Sequence, residues 1–414
     1  MVANRFLLPR LGTMVFLQEF VYGTWLVSMG LILTNYGLSS VIGLSYAVGG
    51  IAAIISPVFA GLITDRLFQS QNVLAILNLI GGLILWFIPA QIIQGNEIGV
   101  LTLMFLYNLV FIPSYSLRNN VSLRNVVNKK RDFPLVTIFG TVGFMAAGLV
   151  IGVLGLSGNP VGYQVGAGIS IFAGLYNLTL PKTPPLAKGK PFTVRDWLCL
   201  DAYGLLKDKD FRIFIICTFL LFIPFIAYSS FASVLLGDLG VQQVSSVMTL
   251  GQVSEVIMLL LLPLIFRKLG YKVVLTIGIL AWALRSALFA FGAPDEMVIL
   301  MYAAIALHGF CWNFFFVTGF MYVDDKAGPH VKSQAQGLLM MFSQGFGVVF
   351  GSLITGYLYN NLITEQGTNA LAQWPYFWFA IAGFTMIVGI IFLLSFNKKQ
   401  QFPAKISTYD EGAA

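Results

Sequence analysis

Residues 181–210 read PKTPPLAKGKPFTVRDWLCLDAYGLLKDKD, and this stretch divides the chain. It carries six lysines and arginines, opens rich in proline and lysine, and turns amphipathic around Trp197, Leu200 and Leu205. Such a pattern predicts a short helix along a membrane surface. On either side the sequence is mostly apolar, in runs of the ~20 residues a membrane-spanning helix needs. Six runs precede the divide, at 12–34, 41–64, 71–91, 98–117, 134–154 and 161–180. Six follow it, at 211–236, 243–266, 272–292, 297–318, 333–358 and 374–396.

The loop charges fit that drawing. Of the 24 lysines and arginines, 23 fall in loops, tails or the first residues of a run on one side, and only Arg285 falls deep inside a run. The opposite loops carry acids or no charge: Glu97, Asp238, Asp295, Glu296 and Glu365. One missed or extra run would scramble this pattern. Basic loops stay in the cytoplasm, so both termini are expected there, in the cytoplasmic (inner) membrane of a bacterium. At 57% hydrophobic, 10% charged and a mean hydropathy of +0.83, the chain is not a soluble protein. Its net charge of +7 reads as membrane orientation, not as a nucleic-acid surface.

Cys199, Cys217 and Cys311 form no disulfide framework and no metal-ligand spacing. Arg5 and Arg10 precede the first run, and no small-residue cleavage site closes it, so an uncleaved first span is expected.

The expected fold is all-α and integral to the membrane, with twelve transmembrane helices in two six-helix bundles. The N-terminal bundle takes residues 1–180, a cytoplasmic connecting loop 181–210, the C-terminal bundle 211–396 and a cytoplasmic tail 397–414. Six plus six about a cytoplasmic midpoint is the plan of the major facilitator architecture, in which two bundles rock around a central site. The loop after run 2, GLITDRLFQSQ, resembles the facilitator signature G-x-x-x-D-R through Gly61, Asp65 and Arg66. There it would form a latch between helix ends; the plainer alternative is a solvated helix terminus.

An ionised side chain at the centre of a bilayer costs ~2.5–3.5 kcal/mol on insertion scales, so such residues mark cavities, partners or ion paths. Glu255 lies near the middle of run 8 in LGQVSEVIML, with Gln252 on the same helix face. It is a candidate proton carrier, or half of an ion pair with Arg285. Arg285, in run 9, is expected to pair with Glu255 or with Asp295 and Glu296. Glu19, in FLQEFVYGTW, is a second candidate proton site, or a residue open to cytoplasmic water. In run 10, LHGFCWNFFFVTG places His308, Trp312 and Phe315 at i, i+4 and i+7, bordered by Asn313. Imidazole, indole and carboxamide together suit a planar heterocycle. Thr137, Thr141 and Phe144 repeat that spacing in run 5, where Gly140, Gly143 and Gly148 allow close helix approach.

Taken in order, FLQEFVYGTW, RDFPLVTIFGTVGF, LDAYGLLKDKDF, GQVSE, AWALRSALFAFG, LHGFCWNFFFVTG and AQGLLMM resemble the nucleoside:proton symporter family of the major facilitator superfamily, from run 1 to run 12. The resemblance implies import of nucleosides with protons by alternating access. Thr141, Phe144, Gln252 and Glu255 match the family pattern, and Trp312 stands where the family has an aromatic residue. Thr137 replaces an arginine, Asn313 an aspartate and His308 a tyrosine. Ile226 and Ser229 replace an amide pair. The expected substrate site is therefore Thr141, Phe144, Ser229, Gln252, Glu255, His308, Trp312 and Asn313, with Glu255 and Glu19 coupling protons.

No enzyme activity, cofactor, metal or nucleic-acid partner is expected. The partners are a nucleoside, protons and membrane lipid, and the chain is read as a monomer. Two other readings remain open at this point: a facilitator for a sugar or drug, coupled or not, and a non-transporting membrane receptor.

Overall fold

The computed structural model describes residues 6–66, 68–184, 199–328 and 331–397, the side chains of 57–66 and of Lys130 excepted. Among these residues every regular element is helical. Nine helices are long and apolar enough to cross a bilayer. One of them, Val244–Gly292, is two spans: the backbone turns back at Gly270, whose φ of 69° suits a residue without a Cβ. Two further spans fall short of the length criterion. Span 1 is interrupted, running as Leu7–Gly23 and then Met29–Asn35, and span 6 is Val161–Asn177. Twelve crossings result, as the hydropathy predicts.

Side-chain caps open several spans. Asn96 accepts from the Gly99 N–H at 3.0 Å, Asn128 from Arg131 at 3.2 Å and Asp208 from Phe211 at 2.9 Å, each filling one of the free donors of a first turn. Of the expected surface helix, Leu200–Lys207 is a 3₁₀ helix; Trp197 lies outside the described residues. Beside it, Asp208 also takes Lys326 at 2.7 Å. Partial burial pushes the Asp208 carboxyl up, but the bonds from Lys326 and the Phe211 N–H outweigh it and hold the group below the usual carboxylate range.

Span 1 packs on spans 5 and 6, span 3 on 4 and 6, and span 2 on 4; later in the chain span 9 packs on 10 and 12, and span 7 on 11. Helices from before and after residues 181–210 meet where span 2 crosses 11, span 5 crosses 8, and the second piece of span 1 crosses 7. These crossings lie toward the end that bears the acidic loops. Ser28 and Ser245 hydroxyls bond at 2.8 Å, Tyr46 OH reaches Ser229 O at 3.0 Å, Ser245 N–H donates to Ser157 at 3.0 Å, and Asn360 donates to Ser40 O at 3.0 Å. At the crossing of spans 2 and 11 a Cβ on Gly356 would stand 2.8 Å from Gly43 Cα, so these helices touch backbone to backbone. Every described hydrogen bond between residues before 181 and after 210 lies toward this end; none lies at the basic-loop end.

Candidate functional site

Span 10 is where regular helix geometry gives way. Val298–Ala306 and His308–Cys311 are α-helical, Trp312–Val317 is π-helical, and Thr318–Lys326 returns to α. A π turn takes an extra residue, and such bulges gather at functional sites. Its effect here is a change of stripe. His308 and Trp312 stack with planes 16° apart, and Trp312 continues to Phe316 at 4.9 Å. Phe315, expected on that stripe, turns away: it is fully buried against Phe214 and crowds Gly278 of span 9. The i+7 expectation fails because it assumed an α-helical repeat through the bulge.

Glu255 faces span 10. Its Oε2 lies 3.7 Å from His308 Nε2, and its side chain is 23% exposed. His308 is buried, stacked between Tyr228 at 5.5 Å and Trp312 at 6.4 Å. Asn313 does not border the opening as expected. It is fully buried, and its amide donates to the backbone carbonyl of Glu255 at 2.8 Å, clamping span 10 to span 8. Gln252 and Trp312 are partly exposed beside Glu255. Ser229 spends its hydroxyl on Phe225 O at 3.0 Å, within its own helix.

Arg285 makes neither expected ion pair. It is fully buried; its Nε donates to Ala304 O at 3.0 Å, and its guanidinium lies 3.7 Å over the Tyr228 ring and 4.8 Å over Trp282. Neither Nη atom has a hydrogen-bond partner, nor does Tyr228 OH. Tyr228 therefore stands between the guanidinium and His308. The cation is held by aromatic faces, an attraction of ~2 kcal/mol or more when desolvated, instead of by a carboxylate.

The first half contributes a different arrangement. Glu19 is not simply open to water, and Arg118 is not a loop charge as its place in the sequence suggested. Arg118 lies in span 4, Glu97–Asn125, with 9% of its side chain exposed, and its Nη1 meets Glu19 Oε1 at 2.7 Å. Tyr115 OH donates to Glu19 Oε2 at 3.2 Å, and the guanidinium covers the Tyr115 ring at 4.5 Å. Glu19 lies against span 5: a Cβ on Gly140 would come within 3.0 Å of its Cγ. Tyr22, one turn on, contacts Phe144 at 6.0 Å. Thr141 and Phe144 are partly exposed on that wall, whereas Thr137 bonds its own backbone at Phe133 O.

The structure thus gathers Glu255, Gln252, His308 and Trp312 on one side, and Glu19, Thr141 and Phe144 on the other. Asp65 and Arg66 end the helix Ile42–Arg66, but their side chains lie outside the described residues. Arg118 and Tyr228 were missed in the sequence. Arg118 was readable only as one of a basic group near a span end, and Tyr228 carried no signal beyond being aromatic. A concavity of about 690 Å³, lined by Leu280, Ala281, Leu284, Ala287, Phe310 and Met386, is apolar, lies on spans 9, 10 and 12, and includes none of these polar groups.

The profile of the family described as nucleoside H+ symporter matches residues 7–401. The Escherichia coli K12 transporter YegT is 35% identical, over 98% of this chain and 97% of that protein. The xanthosine permease of the same strain is 28% identical, over 96% and 97%. The crystal structure of the nucleoside transporter NupG superposes with a TM-score of 0.84 at 28% identity, covering 95% of this chain and all of that one. The fold is accordingly that of the major facilitators, twelve helices in two six-helix bundles.

Proposed function

Because the chain belongs to the nucleoside H+ symporter family and imports nucleosides together with protons, we propose that both pass between the two halves, 1–180 and 211–396, with Glu255 as the principal proton carrier. The halves are joined by 181–210 and followed by the tail 397–414. The loop charges put both termini in the cytoplasm of a cell whose inner membrane holds the protein as a monomer embedded in lipid. On this reading the conformation described, tied together at the acidic-loop end, is the one open to the cytoplasm.

The observation that carries the reading is the company of Glu255. A carboxylate at membrane depth is expensive, yet this one is partly exposed, 3.7 Å from an imidazole and beside an indole. Trp312 offers a face on which a nucleobase stacks. Gln252 and Thr141 offer hydrogen bonds to sugar hydroxyls, and Phe144 closes the opposite wall. Asn313 and Ser229 act one step back, Asn313 by fixing the Glu255 backbone and Ser229 by its carbonyl contact with Tyr46. Glu19 is the second proton-coupling group. Arg285 supplies a structural charge.

The test is Glu255→Gln in proteoliposomes loaded for proton-driven uptake of labelled uridine. Accumulation should fall roughly tenfold or more, since coupled sites typically exchange 5–150-fold in affinity, and uptake should lose its dependence on external pH. Unchanged pH-dependent accumulation would remove Glu255 from the mechanism.

A further inference from the structure

The pair formed by Glu19 and Arg118 is used by nothing proposed so far beyond a general role for Glu19. Both of its carboxylate oxygens are occupied by donors, Arg118 Nη1 at 2.7 Å and Tyr115 OH at 3.2 Å. A proton on either oxygen would displace one of them. Glu255 in the other half has no guanidinium against it; its charged or titratable neighbour is His308 at 3.7 Å. The two carboxylates have no counter-ion in common.

We propose that Arg118 is the positioning residue that discharges Glu19, so that their pairing is the proton-release step of the conformation tied at the acidic-loop end. In the opposite conformation Glu19 is parted from Arg118 and carries the proton as a neutral acid. As the halves rock to the arrangement described here, spans 1 and 4 close on each other within the first half and the Arg118 guanidinium arrives at Oε1. The Glu19 O–H bond breaks toward water in the opening at the basic-loop end, the proton leaves hydrated, and the vacated oxygen takes the Arg118 N–H. No other reactant is needed.

The groups facing Glu19 suit this role. Span 4 presents Arg118 and Tyr115. Span 1 itself presents Tyr22 and, one residue before Glu19, the buried amide of Gln18, which is bonded to Ser114. Span 5 meets Glu19 at Gly140, with Thr137 and Thr141 a turn or less away and no ionisable side chain in contact. Among the described residues Arg118 is the cation that meets Glu19, held by that bond and by the face of the Tyr115 ring. The arrangement is that of a buried ion pair whose value lies in switching; as a stabilising device a buried pair is poor.

This inference rests on the transport reading above, and wild-type counterflow of labelled uridine tests that reading separately. Four full-length variants in proteoliposomes test the inference: Glu19→Gln, Arg118→Gln, Arg118→Lys and the double Glu19→Gln/Arg118→Gln. Counterflow needs no net proton movement; it is read in every variant, and accumulation is scored relative to it. Gradient-driven accumulation should fall roughly tenfold or more in Glu19→Gln, in the double variant and in Arg118→Gln. Arg118→Lys, which keeps the charge and loses the fork, should recover part of it. The double variant is electrically balanced and keeps the test open if a single variant does not fold. A purely structural pair would be repaired in the double variant. Wild-type accumulation there, or in Glu19→Gln with an unshifted pH profile, overturns the proposal.

Discussion

Glu19 and Glu255 are carboxylates at membrane depth in opposite halves of the molecule, and the protein handles them differently. Glu19 is closed off by a guanidinium at 2.7 Å and a phenol at 3.2 Å. Glu255 meets an imidazole at 3.7 Å, while the cation of its half, Arg285, is turned onto the face of Tyr228. The difference teaches that a charge count does not reveal which charges neutralise each other. Both halves contain one acid and one arginine in their walls. In the first, a neighbouring helix brings the two into contact; in the second, the arginine is turned onto an aromatic ring and the acid meets an imidazole instead.

The largest effect that would sharpen this contrast is on stability. Arg118→Ala leaves the buried Glu19 without its guanidinium, so that the carboxyl must take up a proton or stand uncompensated, and should cost about 3–5 kcal/mol, a large fall in melting temperature in detergent. Glu255→Gln removes no ion pair with a permanent cation and should melt close to wild type, within about 0.5 kcal/mol. Equal losses would erase the distinction between the halves. Next comes binding. Trp312→Ala should weaken nucleoside binding by ~1–3 kcal/mol if a base stacks on it, roughly 5–150-fold by equilibrium titration, and affinity unchanged to within twofold would put the base elsewhere. A smaller effect is expected at the ring that separates Arg285 from His308. Tyr228→Leu uncovers the guanidinium and should destabilise by ~0.5–2 kcal/mol, whereas Tyr228→Phe, whose lost hydroxyl has no partner, should be near neutral.

The smallest effect calibrates the rest. Lys326 and Asp208 also pair at 2.7 Å, but their side chains are 28% and 39% exposed. Lys326→Ala should cost at most ~1 kcal/mol, as exposed pairs do. Its pH dependence has a definite sign. The Asp208 carboxyl is held below its usual range, so the pair's contribution is complete above about pH 3.9, the unperturbed value. It disappears only as pH falls through the lowered value of the folded protein. Wild type and Lys326→Ala should therefore converge in stability in acid and stay apart at neutral pH.

Much of the fold was legible because membrane insertion reads sequence locally. The short sixth span and the broken first one were drawn correctly from apolar length alone, since the bilayer rewards hydrophobicity whether or not a helix is regular. The turn at Gly270 followed from the basic residues around it. Of the site, Glu255, Gln252 and Trp312 were legible because polar or bulky groups at mid-span are conspicuous. Phe315 was misplaced because nothing in FFFV announces a π turn; Phe316 takes its place beside Trp312. Asn313 was misread because an amide can serve a ligand or a neighbouring backbone equally well, and here it holds Glu255 O. Arg118 was assigned to a loop because it begins a basic group at the end of span 4, whereas the helix continues to Asn125 and carries it inside.

By itself the sequence determined the number of crossings, the side on which the basic loops lie, and the family, because each depends on local hydropathy, charge or ordered motifs. Tertiary structure alone decided which charges meet. Pairing depends on depth and rotation of helices far apart in the chain, as with Glu19 and Arg118, 99 residues apart. It also decided which end is closed, since that rests on backbone contacts such as Gly43 against Gly356, whose free energy exists only once the two halves are brought together.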